Sequence, residues 1–489
     1  MMLRVLIVDL ANFATFPTLA IGMLVASLRG AGHQVEVLCP LSHDVPAVTR
    51  ERRETNLDHW QRRLHLTANP LLLSLRDAAR RVRAWWQNRP HPRVIALCEQ
   101  ALAKQPDVVL LSAYLHHHPS VVEIGRSAAR RRVPLLLGGP VFNLPETAAA
   151  WRSVPGLTAI FGGEADLLLP DLLQAIVQRQ DLLRFPGLTL PDGRAAEPAS
   201  PLQDLDRLPT PDFTDFPWDR YGMRVLPVMS GRGCGWGKCV FCSDVVSASG
   251  RTFRSRSAAV VLDEMAVLAQ RHAARHFVFL DLKLNSDVQV WRGIIDGVQA
   301  RVPGAEWIGT VHVDRRPDNG LRAEDLRAAV AAGMRRISFG FESASQRLLD
   351  RMHKGASVEH YRRFVREAFE AGLSVRCTAF HGFPGETPAD LDQTRRFFEE
   401  NARYLDRVRF NSFSVLLGTP LFAALPAATG ELAALTEIAL DARNARADYR
   451  HRAIGSRDHR RAKRQLLAAV HAINRRALRP GAEALDGLM

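Results

Sequence analysis

Three of the chain's six cysteines fall within nine positions, in the stretch GRGCGWGKCVFCSD at residues 231–244. Cys234, Cys239 and Cys242 have the spacing C-x4-C-x2-C. A structural zinc site wants a fourth Cys or His at comparable spacing, and residues 243–267 contain neither. Three thiolates suit a different centre: they can hold three irons of a [4Fe–4S] cube and leave the fourth iron open to a ligand from outside the chain. The other cysteines, Cys39, Cys98 and Cys377, lie in hydrophobic segments. They read as buried reduced thiols and not as a disulfide framework, which argues against an oxidising compartment.

A loop of this kind needs a scaffold, and the sequence around it alternates strand and helix patterns. From Val225 the apolar runs VLPVMSGRGC, HFVFLDLKL, EWIGTVHVD, RRISFGFES, SVRCTAFHGFPG and RVRFNSFSVLLGTP are separated by helix-like segments. Six such units over residues 224–425 predict a partial (β/α)6 barrel with functional residues at the strand carboxyl ends. Residues 1–200 show an earlier alternation, with LRVLIVDL, VEVLCP, PDVVLLSA, VPLLLGGP and LTAIFGG as strands. That pattern predicts a doubly wound, Rossmann-like α/β domain. An Arg- and Trp-containing helical insert interrupts it at about 41–92. A Pro- and Asp-rich linker is expected at 201–223, and a basic helical C-terminal extension at 426–489.

On these motifs the chain resembles the radical S-adenosylmethionine (SAM) enzymes that carry a cobalamin (B12)-binding domain. Their usual C-x3-C-x2-C signature follows the first barrel strand; here the first gap is one residue longer, and Phe241 holds the aromatic place before the last cysteine. The resemblance implies that Cys234, Cys239 and Cys242 bind the [4Fe–4S] cluster. It further implies that Phe241, Asp281, Glu342, Gly382 and Pro384 lie against SAM. PDVVLLSAY, VPLLLGGPVFNLPE and AIFGGEADLLLPDLL keep the order of the cobalamin domain, which points to Gly138, Gly139, Gly162, Gly163 and Glu164 for that cofactor. The hexapeptide D-x-H-x-x-G, which supplies a histidine to cobalt in other cobalamin domains, is absent, so no histidine lower ligand is expected. His381 and the run AYLHHHPS, with Tyr114, read as core and loop residues.

The implied activity is methyl transfer to an unactivated carbon or phosphorus of a specialised metabolite or a peptide, with no catalytic side chain assigned. A cyclisation or rearrangement using the same cofactors is the alternative. A non-catalytic cobalamin- or nucleic-acid-binding regulator is a second one, against which the intact cysteines argue.

The formal charge of +14 is concentrated late in the chain, where residues 441–480 hold twelve Lys or Arg against three Asp. Without an aromatic-interleaved groove this reads as a solvated face, and nucleic acid is not expected as a partner. An acidic electron donor of the flavodoxin or reductase type fits the charge better. No apolar run reaches the ~20 residues of a membrane span, so no membrane partner and a cytoplasmic location are expected.

Overall fold

The structure is a computed structural model that describes residues 1–47, 53–243, 246–247, 250–427 and 429–488. Its first sheet has the order β2-β1-β3-β4-β5-β6. Strands β1 (Arg4–Val8), β2 (Gln34–Leu38), β3 (Val108–Ser112), β4 (Leu135–Gly138) and β5 (Leu157–Phe161) run parallel, and the two-residue β6 (Leu188–Thr189) joins antiparallel. The near-continuous aliphatic strands follow from burial on both faces. Val5 and Ile7 enter one core with α1 (Leu19–Gly30) and α7 (Leu169–Val177). Leu6 and Val8 enter the opposite core with α4 (Pro92–Ala103), α5 (His118–Arg131) and α6 (Pro145–Trp151).

The insert forms α2 (Asn56–His65) and α3 (Leu73–Asn88); its residues 48–52 lie outside the described residues. Thr55 starts α2 with a reciprocal cap: its hydroxyl accepts from the Asp58 amide, and the Asp58 carboxylate accepts from the Thr55 amide. Neither helix has a buried residue, and Leu57, Trp60, Trp85 and Trp86 face outward.

Residues 201–223, expected as a linker, run through a packed part of the molecule. Phe213, Phe216 and Tyr221 are buried between the two halves of the molecule. The Phe213 ring packs so close to α1 that a Cβ at Gly22 would stand 2.2 Å from it. Arg29 clamps the segment through Asp212 and Asp215, at 2.7 and 2.6 Å. Composition marks chain irregularity, and irregular chain can still be core.

The second sheet is all parallel, in the order β16-β15-β14-β13-β12-β7. Its strands are β7 (Val225–Val228), β12 (His276–Phe279), β13 (Glu306–Val311), β14 (Met334–Glu342), β15 (Ser374–His381) and β16 (Arg407–Ser412). Helices α8 (Ala258–His272), α9 (Val288–Arg301), α10 (Ala323–Ala331), α12 (Val358–Ala371) and α13 (Pro388–Glu400) cover it, with a short α11 (Gln346–Arg351) after β14. Two short strand pairs flank the cysteine loop: β8 (Gly231–Arg232) pairs with β11 (Arg254–Ser255), and β9 (Val246–Ser247) pairs with β10 (Gly250–Arg251).

The C-terminal extension is only partly helical. After α14 (Pro420–Ala424), a β-hairpin of β18 (Leu435–Asp441) and β19 (Arg446–His451) pairs with β17 (Val415–Leu416), and α15 (Arg457–Asn474) follows. The hairpin escapes sequence reading because its turn carries no glycine; Ala445 takes the left-handed conformation instead, at φ 49°. Its tip rests on α6, where Trp151 Nε1 donates to Arg443 O at 3.1 Å. The apolar side of α15, with Leu466, Leu467, Val470 and Ile473, is buried, while Arg457, Arg461 and Arg464 face outward.

Candidate functional site

Strand β7 delivers the cysteine loop at its carboxyl end, and three neighbouring elements pin that loop. Val240 N donates to Met352 O at 3.1 Å, and Leu421 N donates to Val240 O at 3.0 Å. Gly235 N donates to Ser286 Oγ at 3.0 Å. Trp236 Nε1 donates to His353 O at 2.7 Å, and its ring lies over Gly355, where a Cβ would stand 2.2 Å away. Gly355 also has φ +66°, so this position calls for glycine on both counts. Phe241 wedges edge-on against Phe380 and Phe413, with centroids 5.4 and 6.2 Å away. Cys234, Cys239 and Cys242 remain half-exposed on the resulting loop.

Glu342 ends β14 in the left-handed region, at φ +64°, across a β-bulge with β15. This turns its carboxylate onto Lys354, 2.8 Å away, in a pair that is almost fully buried. Burial works against the Lys354 ammonium, but Glu342 and the Cys239 thiol outweigh it and hold its pKa above the usual lysine value. Burial raises the Cys239 thiol, and Lys354 offsets part of that rise. Lys283 stands close enough to Lys354, Glu342, Cys234 and Cys242 to feel their charge; burial and then Lys354 lower its pKa. The buried His312 ring, just beyond β13, is held neutral by burial and by the same two lysines. Three thiols on one loop can ligate three irons, and the neighbouring lysines favour their thiolate form, so the residues present fit the [4Fe–4S] cluster.

Not every expected SAM residue faces that centre with free valence. Asp281 is committed to Ser230: its carboxylate accepts from Ser230 N at 2.9 and 3.0 Å and from Ser230 Oγ at 2.6 Å. It thereby fixes the base of the cysteine loop. Gly382, at φ +89°, donates its amide to Glu386 Oε1 at 2.9 Å, and Pro384 borders a cleft of about 360 Å³ with Val240, Phe383 and Leu421. His381 is buried, stacks on Phe410 and shares a hydrogen bond with Ser412 Oγ at 3.1 Å, as a core histidine does.

The expected cobalamin residues divide differently. A Cβ at Gly139 would stand 2.3 Å from Ala113 O, one at Gly162 2.0 Å from Phe142 O, and one at Gly163 2.7 Å from the Ala199 Cβ. At these glycines the chain's own atoms occupy the space that a Cβ would need. Glu164 is also engaged internally: it pairs with Arg254 at 2.9 Å and Arg232 at 3.2 Å, and Asp166 grips Arg232 with two bonds of 2.8 and 3.0 Å. Arg232 lies two residues before Cys234, so this motif clamps the first domain to the cysteine loop. For a corrin the first sheet offers the carboxyl ends of β1, β3 and β4: Gly138, open above its Cα, the exposed Tyr114 ring, and the buried Asn12 Oδ1, which has no hydrogen-bond partner among the described residues. Those groups suit a flat polar-edged ligand at the usual crevice of a parallel sheet.

The sequence alone does not single out Lys283, Lys354, His312, Asn12 or Arg232. For Lys354 a signal exists, since it falls twelve residues after Glu342 in the segment SFGFESASQRLLDRMHKG.

This barrel and loop define a class. Residues 228–398 match the family model of the radical SAM superfamily, and the pairing of this barrel with a preceding α/β domain is a fold shared with cobalamin-dependent radical SAM enzymes of known structure. It is 28% identical over 304 residues to an "uncharacterized methyltransferase" of Pyrococcus horikoshii, covering 60% of this chain and 64% of the relative. It is 27% identical over 316 residues to the anaerobic magnesium-protoporphyrin IX monomethyl ester cyclase of Rubrivivax gelatinosus, covering 60% of this chain and 54% of that protein. The chain therefore spans less than two thirds of the length of either. Among solved structures it resembles the radical SAM methyltransferase TsrM of Kitasatospora setae, with TM-score 0.60, 20% identity, and 86% of this chain and 75% of that one covered. It also resembles the cobalamin-dependent radical SAM enzyme OxsB, with TM-score 0.66, 17% identity, and 92% and 64% covered.

Proposed function

We propose that the protein is a cobalamin-dependent radical SAM methyltransferase acting on an unactivated carbon or phosphorus of a small specialised metabolite or a peptide. The observation that carries this reading is the pinned three-cysteine loop at the carboxyl end of β7, facing the Glu342–Lys354 pair and clamped by Arg232 to a second parallel sheet. When bound, the cluster and SAM supply radical chemistry and cobalamin carries the methyl group. The chain's own part is to orient and to exclude water. Asp281 and Trp236 hold the loop, Phe241 closes one side with apolar surface, and Glu342 offers a carboxylate beside the thiols.

The test uses methyl-labelled SAM, reductant and candidate substrates on anaerobically reconstituted protein. Methyl transfer requires label in the product and both S-adenosylhomocysteine and 5′-deoxyadenosine in solution. Product accompanied by 5′-deoxyadenosine alone overturns it in favour of a rearrangement or cyclisation, the reading that similarity to the cyclase supports.

Two associated proposals concern setting. No described helix is long and apolar enough to cross a membrane, which is compatible with work in the cytoplasm. An acidic flavodoxin-type donor is proposed to approach the outward arginines of α15. Because the opposite side of α15 is core, replacing Arg457, Arg461 and Arg464 by Glu is a cleaner test than truncation. The triple variant is expected to slow reduction by flavodoxin several-fold while dithionite reduces it normally.

A further inference from the structure

Where the insert meets the C-terminal helix, far from the cysteine loop along the chain, three hydrogen-bond acceptors converge. Glu54 Oε1 lies 3.3 Å from His471 Nδ1 and 3.9 Å from His59 Nδ1, and the three atoms all lie within 4.8 Å of one another. The Glu54 side chain is 3% exposed, and those of His59 and His471 are 15% and 13% exposed. Among the described residues, none of the three atoms has a hydrogen-bond partner.

The surroundings explain why they face each other bare. Glu54 Oε2 accepts from Asn474 Nδ2 at 3.1 Å and lies 3.0 Å from the Arg62 guanidinium, which leaves Oε1 unused. Glu54 N donates to Asn474 O at 3.1 Å, so its backbone is fixed as well. His471 Nε2 lies 3.2 Å from Asn56 Oδ1, an acceptor, and therefore carries the ring proton. Its Nδ1 lone pair then points at a carboxylate oxygen. The His59 and His471 rings stack at 4.4 Å, which holds both edges toward the same place. Buried acceptors placed together are costly unless a cation or a proton joins them. Two ligands bound tetrahedrally at the roughly 2.0–2.1 Å typical of zinc stand about 3.3–3.4 Å apart, the separation seen between Glu54 and His471.

We propose that Glu54, His59 and His471 bind one divalent transition-metal ion of the zinc type, in a site of two histidines and one carboxylate that staples the insert to α15. Asn56 acts as the positioning residue that selects the ligating tautomer of His471. Arg62 stays on the far carboxylate oxygen and limits affinity. The ligand set contains no cysteine and is separate from the three-cysteine loop.

The test is made on the full chain with its iron–sulfur cluster reconstituted, so that the cysteines are occupied, and then stripped of loosely held metal with EDTA. Zn2+ is titrated against a chromophoric chelator, and Co2+ serves as a spectroscopic probe. The expected result is one equivalent bound by the parent, with affinity reduced more than about a hundredfold in His59→Gln and His471→Gln and about tenfold to a hundredfold in Asn56→Ala. Iron content and the melting temperature of the metal-free forms should match the parent. The Co2+ spectrum should show no thiolate charge-transfer band. If a histidine variant fails to fold, zinc-edge X-ray absorption of the parent decides: nitrogen and oxygen scatterers support the site, and sulfur overturns it. Equal affinity in all variants overturns the proposal, as does no Zn2+ binding with His471 found as imidazolium by NMR, which would mean that a proton alone joins the acceptors.

Discussion

A buried carboxylate pushed upward makes a pH signature that separates positioning from catalysis. Asp281, in the base of the cysteine loop, has its pKa raised from 3.8 to about 6, because burial outweighs the hydrogen bonds from Ser230. The folded state therefore binds the proton more tightly than the unfolded state, and stability falls as pH rises from about 4 through about 6. The linkage amounts to about 3 kcal/mol at most. Asp281→Asn keeps an acceptor for Ser230 and should flatten this part of the melting profile; an unchanged slope would mean that another group sets it, Asp9, also raised to about 6 by burial, being the first to examine. Glu342→Gln tests the neighbouring pair. It should weaken SAM binding to the cluster-loaded protein at least about tenfold by calorimetry, and it strands the Lys354 ammonium in a buried setting, a change that typically costs about 3–5 kcal/mol. Unchanged SAM affinity with lowered stability would make the pair purely structural. At this scale the cysteines and Glu342 were legible because their spacing belongs to one loop and one strand end. Lys283, Lys354 and His312 were not, since what distinguishes them is a shared burial created only when three strands lie side by side.

At the scale of elements, the cysteine loop is as rigid as its contacts with the segment after α11. Gly355→Ala would bring a Cβ to 2.2 Å from the Trp236 ring at φ +66°, and a loss of about 1–3 kcal/mol is expected, with lowered cluster content after reconstitution. Gly372→Ala is the matched control: its φ is +112°, but the nearest atom would be 3.5 Å away, so it should lower the melting temperature without lowering cluster content. Equal cluster content in both variants would show that Trp236 does not shape the loop. The strands and helices of both sheets were readable because burial on two faces writes continuous aliphatic runs into the sequence. The hairpin of β18 and β19 was not, with a turn of Ala442–Asn444 followed by a left-handed alanine. The packing of Phe213, Phe216 and Tyr221 in segment 201–223 was not readable either, because prolines and aspartates dominate its composition.

For the molecule as a whole, Arg232 connects the two sheets at the point where both present their carboxyl ends. Asp166→Ala removes both of its short hydrogen bonds while leaving Glu164 in place. Cluster incorporation is expected to stay near the wild-type level, whereas loss of iron to a chelator should quicken several-fold; identical loss rates would show that the first domain does not brace the loop. The order of the two domains was visible from motif order alone. Their mutual fastening was not, because GGEAD reads equally well as a ligand turn and as an ion-pair clamp.

The union of the insert with α15 also has a consequence in time. Lys463 Nζ donates to Leu66 O at 2.6 Å, across 397 positions of sequence. At a synthesis rate of about 5–20 residues per second, the ribosome needs roughly 20–80 s to make the second partner after the first has emerged. During that interval α2, which carries Trp60, lacks the helix it docks on. A nascent chain arrested before residue 457 should therefore be cut by protease within residues 53–66 while its first sheet resists, and release of the finished chain should abolish that cleavage.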